Sequence, residues 1–317
     1  MSLDTPVAFF IFNRPDLTEI VFEAIAQARP RKFLVIADAP AKPEDDEKCR
    51  QCKAIIERAD WDCEVIKKYP EQNIGARNNV PEGVQWVFSQ VDECIFLEDD
   101  CLPDPSFFTF CESLLKHYRD DERVMHINGG NFLFGQVPVD DSYYFSRYMF
   151  TGYGWASWKR AWKYYDLDMR SLPEFEAQGR WDSVFDDGEE KEYWIRKLRE
   201  VYAGELVSYC YPIFFAGWSQ SGLSIMPRVN LVSNLGFRAD AIHTNTAYER
   251  MYLANIPRNN IGEITHPKYV LRHREADRHL FKIYFGPVGA PQNSTPTGLR
   301  YYWVALKYKL GLLRSGG

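Results

Sequence analysis

Three consecutive carboxylates, Glu98-Asp99-Asp100, follow the apolar run Cys94-Ile95-Phe96-Leu97 and precede a Cys-Leu-Pro turn. Like charges side by side repel one another unless something positive stands among them. Hard divalent cations take oxygen ligands, and Mg2+ in particular binds through one or two carboxylates plus substrate phosphates. An acidic turn beside a nucleotide therefore has the chemistry to hold such a cation. Acidic triplets are also common on solvated loops, so the weight of this one lies in its placement after a buried strand. Two other polar groups stand in similar places: Asn13-Arg14 after the run Val7–Phe12, and Asp38 closing Phe33–Asp38.

The elements between these groups decide whether they meet. The runs at 7–12 and 33–38 are continuously apolar, as strands buried on both faces are. Cys63–Tyr69 reads as a third strand and "CIFLE" as a fourth. Asp16 is placed to cap a helix with Leu17, Ile20, Val21, Ala24 and Ile25 at helical spacing. A further helix is expected around Pro81–Gln90, and Asp104-Pro105 opens another with Phe108, Cys111, Leu114 and Leu115 on one face. This βαβα order predicts a Rossmann-like α/β fold, a mixed, mostly parallel sheet flanked by helices. In such sheets ligands gather at the carboxyl ends of the strands. The polar groups at 13–14, 38 and 98–100 are therefore expected to share one crevice. No GxGxxG or GxxxxGK[ST] loop occurs, which weakens dinucleotide and P-loop readings.

The chain has 317 residues, 45% hydrophobic and 15% aromatic, with a net charge of −6. That balance carries no nucleic-acid footprint. The start "MSLDTPVAFFIFNRP" lacks the basic region of a signal peptide, and no apolar stretch approaches the roughly 18 residues of a membrane span. Seven scattered cysteines point to reduced thiols and a cytoplasmic setting, with the Cys49/Cys52 pair read as incidental to a helix. From about Val124 the pattern turns aromatic and irregular. Those rings suit either a core or a floor for a sugar, whose C–H faces stack on them. His126 is expected to be structural, and His266, His273 and His279 to lie on a surface segment.

In order along the chain, "FNRPDL", "VIADAP", "QNIGARNN", "FLEDDCLPDPSFFTFC", "GYGWASWKRAWKYYD" and "NLVSNLGF…DAIHT" resemble bacterial glycosyltransferases of the GT-A fold, of the family 2-like kind. "LEDDCLPDPSFF" is also similar to the acidic motif of the N-acetylglucosaminyltransferases that start complex N-glycans. The resemblance runs from Pro6 to His243. It implies a GT-A domain over 1–275, with a nucleotide-sugar-binding half (1–123) and an acceptor half (124–275). It further implies a transferase that moves a sugar, with inversion, from a nucleotide donor, foremost a UDP-sugar, to an envelope or exopolysaccharide acceptor. Its cofactor would be a divalent metal, Mn2+ or Mg2+. Residue by residue, it puts Asn13 and Arg14 near the nucleotide and Asp38 on the base. Asn73, Gly75, Arg77 and Asn78 would face the donor, and Glu98 and Asp99 would sit beside ribose and sugar. Asp100 would hold the metal, with His243 as a further ligand.

An inverting displacement also needs a base for the acceptor hydroxyl. In the family an aspartate in a Trp-Asp-Tyr-Gln-like segment serves; the matching stretch here is "SYCYPIFFAGWSQSGLSI", with Cys210 in that place. No carboxylate lies between Glu205 and Asp240, so the expected base is Glu205 or an acid of "WDSVFDDGEEKEYW", Asp187 or Glu190 foremost, after Asp182 and Asp186. The other reading is a protein that binds the donor without efficient transfer. The third, a nucleotidyltransferase, would want a glycine-rich basic loop where "FNRPDL" stands.

Residues 276–317 form a linker and a basic amphipathic C-terminal segment. No acid follows Asp277, and in 299–314 Leu299, Tyr302, Trp303, Leu306, Leu310 and Leu313 share one helical face, with Arg300, Lys307 and Arg314 on another. Such a helix either lies in a membrane interface, making the protein peripheral on the inner face of the cytoplasmic membrane, or packs on the domain. The flexible composition of 286–298 fits a tether.

Overall fold

The computed structural model describes residues 2–236 and 256–285. His243, the linker at 286–298 and the segment 299–314 lie outside the described residues. The first hundred residues alternate as expected: β1 (Val7–Ile11), α1 (Pro15–Ala28), β2 (Lys32–Ala37), α2 (Asp46–Ile56), β3 (Glu64–Lys68), α3 (Ala76–Gln90) and β4 (Glu93–Glu98). There follow β5 (Cys101–Pro103), α4 (Pro105–His117), β6 (Val124–Asn128), β7 (Tyr143–Ser146), β8 (Trp155–Trp158), α5 (Lys159–Trp162), α6 (Leu172–Ala177) and α7 (Trp181–Val184). The order ends with α8 (Gly188–Tyr202), α9 (Cys210–Ser219), β9 (Leu223–Pro227), β10 (Val232–Asn234) and α10 (Arg274–Leu280).

Eight strands form one sheet in the order β3-β2-β1-β4-β8-β6-β9-β7. β1 pairs in parallel with β2 and β4, β2 with β3, and β6 with β9, whereas β8 runs antiparallel to both β4 and β6, and β7 to β9. This is the expected mixed, mostly parallel α/β sheet flanked by helices. β5 and β10 pair separately, Asn234 opposite Cys101.

The continuous apolar runs divide by strand alternation. Val7, Phe9 and Ile11 of β1 join Phe33, Val35 and Ala37 of β2 in the core under α1, α2 and α4. Ala8, Phe10, Leu34 and Ile36 face the other way, onto Val84, Val87 and Phe88 of α3. Fully burying such side chains contributes roughly 1.5–3 kcal/mol each. Summed over three adjacent strands, that outweighs the several kcal/mol per ion that buried carboxylates at their ends cost.

Four details differ from expectation. On α1 the buried stripe is Leu17, Thr18, Val21, Phe22 and Ile25, while Ile20 is 43% exposed; Phe22 packs on Phe33 and Trp61 and turns the helix to suit. The helix starts at Pro15, so Asp16 lies within its first turn. α3 begins at Ala76 and carries Pro81 inside it, so a proline that reads as a helix start is an interior residue. Of the two roles open to the rings of the second half, these side chains take the core: Tyr148, Tyr153, Trp158 and Trp194 are fully buried, as expected of a core.

The last difference is the segment after Ile256, which is more than a surface strip. Ser142 Oγ donates to Glu263 O at 3.0 Å, and Tyr143 Oη meets His266 Nδ1 at 2.8 Å. The N–H of His273 donates to Phe145 O at 2.8 Å. α10 then buries Asp277 against Ser146 Oγ at 2.6 Å. His266 does stay exposed, but His273 caps α10 by accepting from the Ala276 N–H at 3.2 Å. His126 is the structural histidine expected, its Nδ1 at 2.9 Å from Ser224 Oγ and burial pushing it down to about 3.

Candidate functional site

Parallel pairing sets the level of the polar groups. Phe10 is in register with Ile36 on one side and Glu98 on the other. Phe12 and Asp38 directly follow the last residues of β1 and β2, and Asp99-Asp100 form the turn that follows β4, so all of them stand at the carboxyl ends of adjacent strands. β2 and β4 flank β1, so their carboxyl ends lie two strand spacings or roughly 10 Å apart.

Each end is held by a specific bond. Asp38 is buried; its Oδ1 accepts from the N–H of Ala39 at 2.8 Å and of Ile74 at 3.1 Å, and its Oδ2 from the N–H of Gly75 at 2.9 Å. Gly75 adopts φ +74, a left-handed conformation that suits glycine, as it caps α3. Asn73 Nδ2 donates to Ala39 O at 2.6 Å, and Asn78 Nδ2 to Ile74 O at 3.1 Å. Asp38 thus ties the 73–75 loop to the end of β2. Arg77 reaches Asp168 at 3.5 Å on the rim, and Asn13 Nδ2 donates to Asp45 Oδ1 at 2.8 Å.

The acidic turn has its positive partner within the chain. Arg14 Nη1 meets Asp100 Oδ2 at 2.9 Å, and Nη2 binds Asp99 Oδ1. One guanidinium spans two carboxylates, which suits the planar fork of arginine. Burial acts to lower the Arg14 pKa, but the attraction of Asp99 and Asp100 outweighs it and raises it. Burial pushes Asp99 up to about 7, against the pull of Arg14. Burial, with the charges of Asp100 and Asp99, pushes Glu98 to about 8. Glu98 is bonded to the Tyr209 hydroxyl, at 3.4 Å, just before α9.

A second segment, 234–236, within the "NLVSNLGF" motif, closes on the turn. The N–H of Leu235 donates to Asp100 O at 2.7 Å, and Asn234 Nδ2 to Gly152 O at 2.8 Å. Asn234 Oδ1 accepts from the N–H of Gly236 at 2.7 Å. A Cβ on Gly236 would lie 2.1 Å from Asp100 Oδ2, so glycine keeps the space beside that oxygen clear. The signal available in the sequence was the Asn-Leu-Gly turn after a short strand.

The expected divalent metal can be tested against these groups. Among the described residues no three His, Cys, Asp or Glu side chains gather as a metal cluster. The set that is present is Asp100 beside Asp99, whose Oδ2 is buried without a hydrogen bond. One or two carboxylates fit a hard cation that draws its other ligands from phosphates and water, and do not make a closed protein cage.

The acids expected to act as base are engaged elsewhere. Asp187 caps α8, accepting from the N–H of Glu190 at 3.0 Å. Glu190 is 1% exposed and bound to Arg147 and the Tyr148 hydroxyl. Arg147 also lies 3.9 Å from Asp277, so this is a buried ionic knot joining α8 to α10. Asp182 pairs with Lys191 and Asp186 with Arg272. Glu205 is exposed in an open groove with Glu192, Arg196 and Arg199. None of these acids bonds to the acidic turn. Cys210, in contrast, does stand near it: it opens α9, next to Tyr209, with its Sγ 3.5 Å from Thr151 Oγ1. Burial, and to a lesser degree the charge of Glu98, push its thiol up to about 11. Cys49 and Cys52 are buried free thiols of α2.

No protein-family model matches the chain, and no curated protein matches it. Among solved structures it is similar to a UDP-glucose pyrophosphorylase complexed with UDP-glucose, at 9% identity and TM-score 0.31, over 52% of this chain and 80% of that one. It is also similar to 4-diphosphocytidyl-2C-methyl-D-erythritol synthase of Anaerococcus prevotii, at 10% identity and TM-score 0.32, over 50% and 73%. HddC of Yersinia pseudotuberculosis gives 11% identity and TM-score 0.32, over 53% and 86%. Likenesses this slight add nothing to what the strand order shows. The chain is an α/β protein with Asp38, Arg14 and the Glu98-Asp99-Asp100 turn at the carboxyl ends of β2, β1 and β4. No helix among the described residues is long and apolar enough to cross a membrane.

Proposed function

We propose that the protein is a metal-dependent glycosyltransferase that moves a sugar from a nucleotide donor, a UDP-sugar, with inversion, to an envelope or exopolysaccharide acceptor. The observation that carries this reading is the alignment of Asp38, Arg14 and the Asp99-Asp100 pair at the ends of three adjacent strands. The span from Asp38 to Asp100 suits a nucleoside with its diphosphate. The base and ribose lie toward Asp38 and the loop at 73–78, and the diphosphate toward Arg14 and Asp100. Glu98, on the side of Tyr209, faces the sugar. The nucleotide-sugar half is 1–123 and the acceptor half 124–275, with 299–314 as a contact for the membrane surface.

In the transfer, the acceptor oxygen attacks the anomeric carbon as the bond to the diphosphate breaks, and the acceptor proton passes to a base. A divalent cation at Asp100 supplies Lewis-acid neutralisation of the departing diphosphate. Arg14 and Asp100 orient it, and Asp38 keeps the donor loop in place. With Glu190 held in a buried ion pair, Glu98 is the carboxylate that stands against α9, where the acid was expected.

A second reading, a sugar-nucleotide-binding scaffold of a glycan assembly complex, is favoured by one feature: Cys210 occupies the place of that acid, and its raised pKa makes it a poor base. Incubation with UDP-sugars and Mn2+, followed by product analysis, separates the readings. Transferred or slowly hydrolysed sugar with released UDP supports the transferase; nucleotide binding without turnover supports the scaffold. Release of pyrophosphate from a nucleoside triphosphate and sugar phosphate would refute both.

A further inference from the structure

We propose that Arg14 is the resident counter-ion of the acidic turn, so that a divalent cation occupies Asp100 only when a nucleotide diphosphate arrives to draw Arg14 away. The inference rests on the donor-site reading above and adds an order of events to it. Arg14 Nη1 sits 2.9 Å from Asp100 Oδ2, the oxygen beside which Gly236 leaves space. A cation on that oxygen would bind at about 2.0–2.2 Å and stand within about 5 Å of the guanidinium. Two positive centres sharing one oxygen repel, and the shared oxygen cannot serve both at full strength. The other oxygen offers no equal alternative, since it faces Asn234 Nδ2 and the Cys101 thiol, each at 3.5 Å.

Arg14 is also the member of the cluster that a ligand can reach. Its side chain is 32% exposed, against 3% and 12% for Asp99 and Asp100. It stands at the N-terminal end of α1, fourteen residues long, where the helix dipole favours an anion. A diphosphate there gives the guanidinium a new bidentate partner of the kind it prefers. Its removal from the carboxylates would open Asp100 to the cation. Cation and nucleotide should therefore bind with strong mutual support, and the cation alone should bind weakly.

The test is titration of Mn2+ alone, followed by the spin resonance of the free ion, and repeated with saturating UDP. Wild type is expected to bind Mn2+ alone at least about tenfold more weakly than with UDP. Arg14→Met should tighten binding of Mn2+ alone about tenfold and reduce the gain from UDP by the same factor. Arg14→Lys, a point charge that cannot span both carboxylates, should fall between. Asp100→Asn should abolish Mn2+ binding in every background. Unchanged or weaker binding of Mn2+ alone in Arg14→Met overturns the proposal. Should that variant not fold, Arg14→Lys decides in the same way. Tightening in the Arg14 variants without any binding of UDP would uphold the counter-ion role and remove the donor-site reading instead.

Discussion

Asp38→Asn is the sharpest probe of how the crevice is built. In the wild type Oδ1 takes the N–H groups of Ala39 and Ile74, and Oδ2 takes that of Gly75. Asparagine has the same shape but only one acceptor oxygen. If it keeps Ala39 and Ile74, its NH2 group faces the Gly75 N–H, donor against donor. Leaving one such group unsatisfied costs about 1–3 kcal/mol, and losing the charge on the remaining bonds adds about 1 kcal/mol. The sum, about 2–4 kcal/mol, falls on the loop at 73–75 and the start of α3. Amide exchange at Ile74 and Gly75 should accelerate by roughly 30-fold or more, at 1.36 kcal/mol per tenfold. UDP affinity should fall at least about tenfold, because the loop that faces the donor is no longer held. Hydrogen exchange by NMR and calorimetric titration read the two effects on one sample. Weakened UDP binding with Ile74 and Gly75 still protected would refute the argument, since Asp38 would then act on the ligand directly.

Three further outcomes are expected. Gly236→Ala sets a Cβ against Asp100 Oδ2 and fills the space that a cation on that oxygen would take, so Mn2+-dependent UDP binding should weaken about 10- to 100-fold in a titration. Glu190→Gln breaks a buried ion pair and should lower stability by roughly 3–5 kcal/mol in urea unfolding, while UDP affinity of the folded protein stays within about twofold; lost affinity would return Glu190 to the site. Asp277 is raised to about 6, chiefly by burial, so between its ordinary value and 6 the folded state holds a proton that the unfolded state has lost. Lowering the pH from 7 to 5 therefore adds about 1 kcal/mol from this group, and Asp277→Asn should fall behind wild type by that amount in paired urea titrations.

Strands β1, β2 and β4 were legible because each is a continuous apolar run cut off by polar residues; β3, "EVIKK", lacks such a run, and β7, β8 and β9 lie in the aromatic stretch that shows no strand pattern of its own. The meeting of Arg14 with Asp99 and Asp100 could be foreseen only in outline. The sequence placed them at neighbouring strand ends, but not the guanidinium between the two carboxylates. Long-range closure was hidden. The start of α3 depends on Asp38, 37 residues before Gly75, and the cover over Asp100 comes from Asn234, 134 residues away. Glu190 misled for a related reason. An acid in a charged run, "DDGEEKE", reads as exposed, whereas the turn of α8 sends this one inward to Arg147. Cys210 opens α9 beside Tyr209, whose hydroxyl meets Glu98, a proximity that spacing along the chain does not reveal.

The account stands or falls on a nucleotide site built on the acidic turn. Titration of UDP and GDP into the protein with Mn2+ and with EDTA, alongside Asp100→Ala, tests it most directly. The expected result is Mn2+-dependent binding of UDP, weakened by roughly two orders of magnitude or more in the variant. Binding of neither nucleotide under any condition, or UDP binding indifferent to both Mn2+ and Asp100, would contradict it and leave Glu98, Asp99 and Asp100 a strand end neutralised by Arg14 and nothing more.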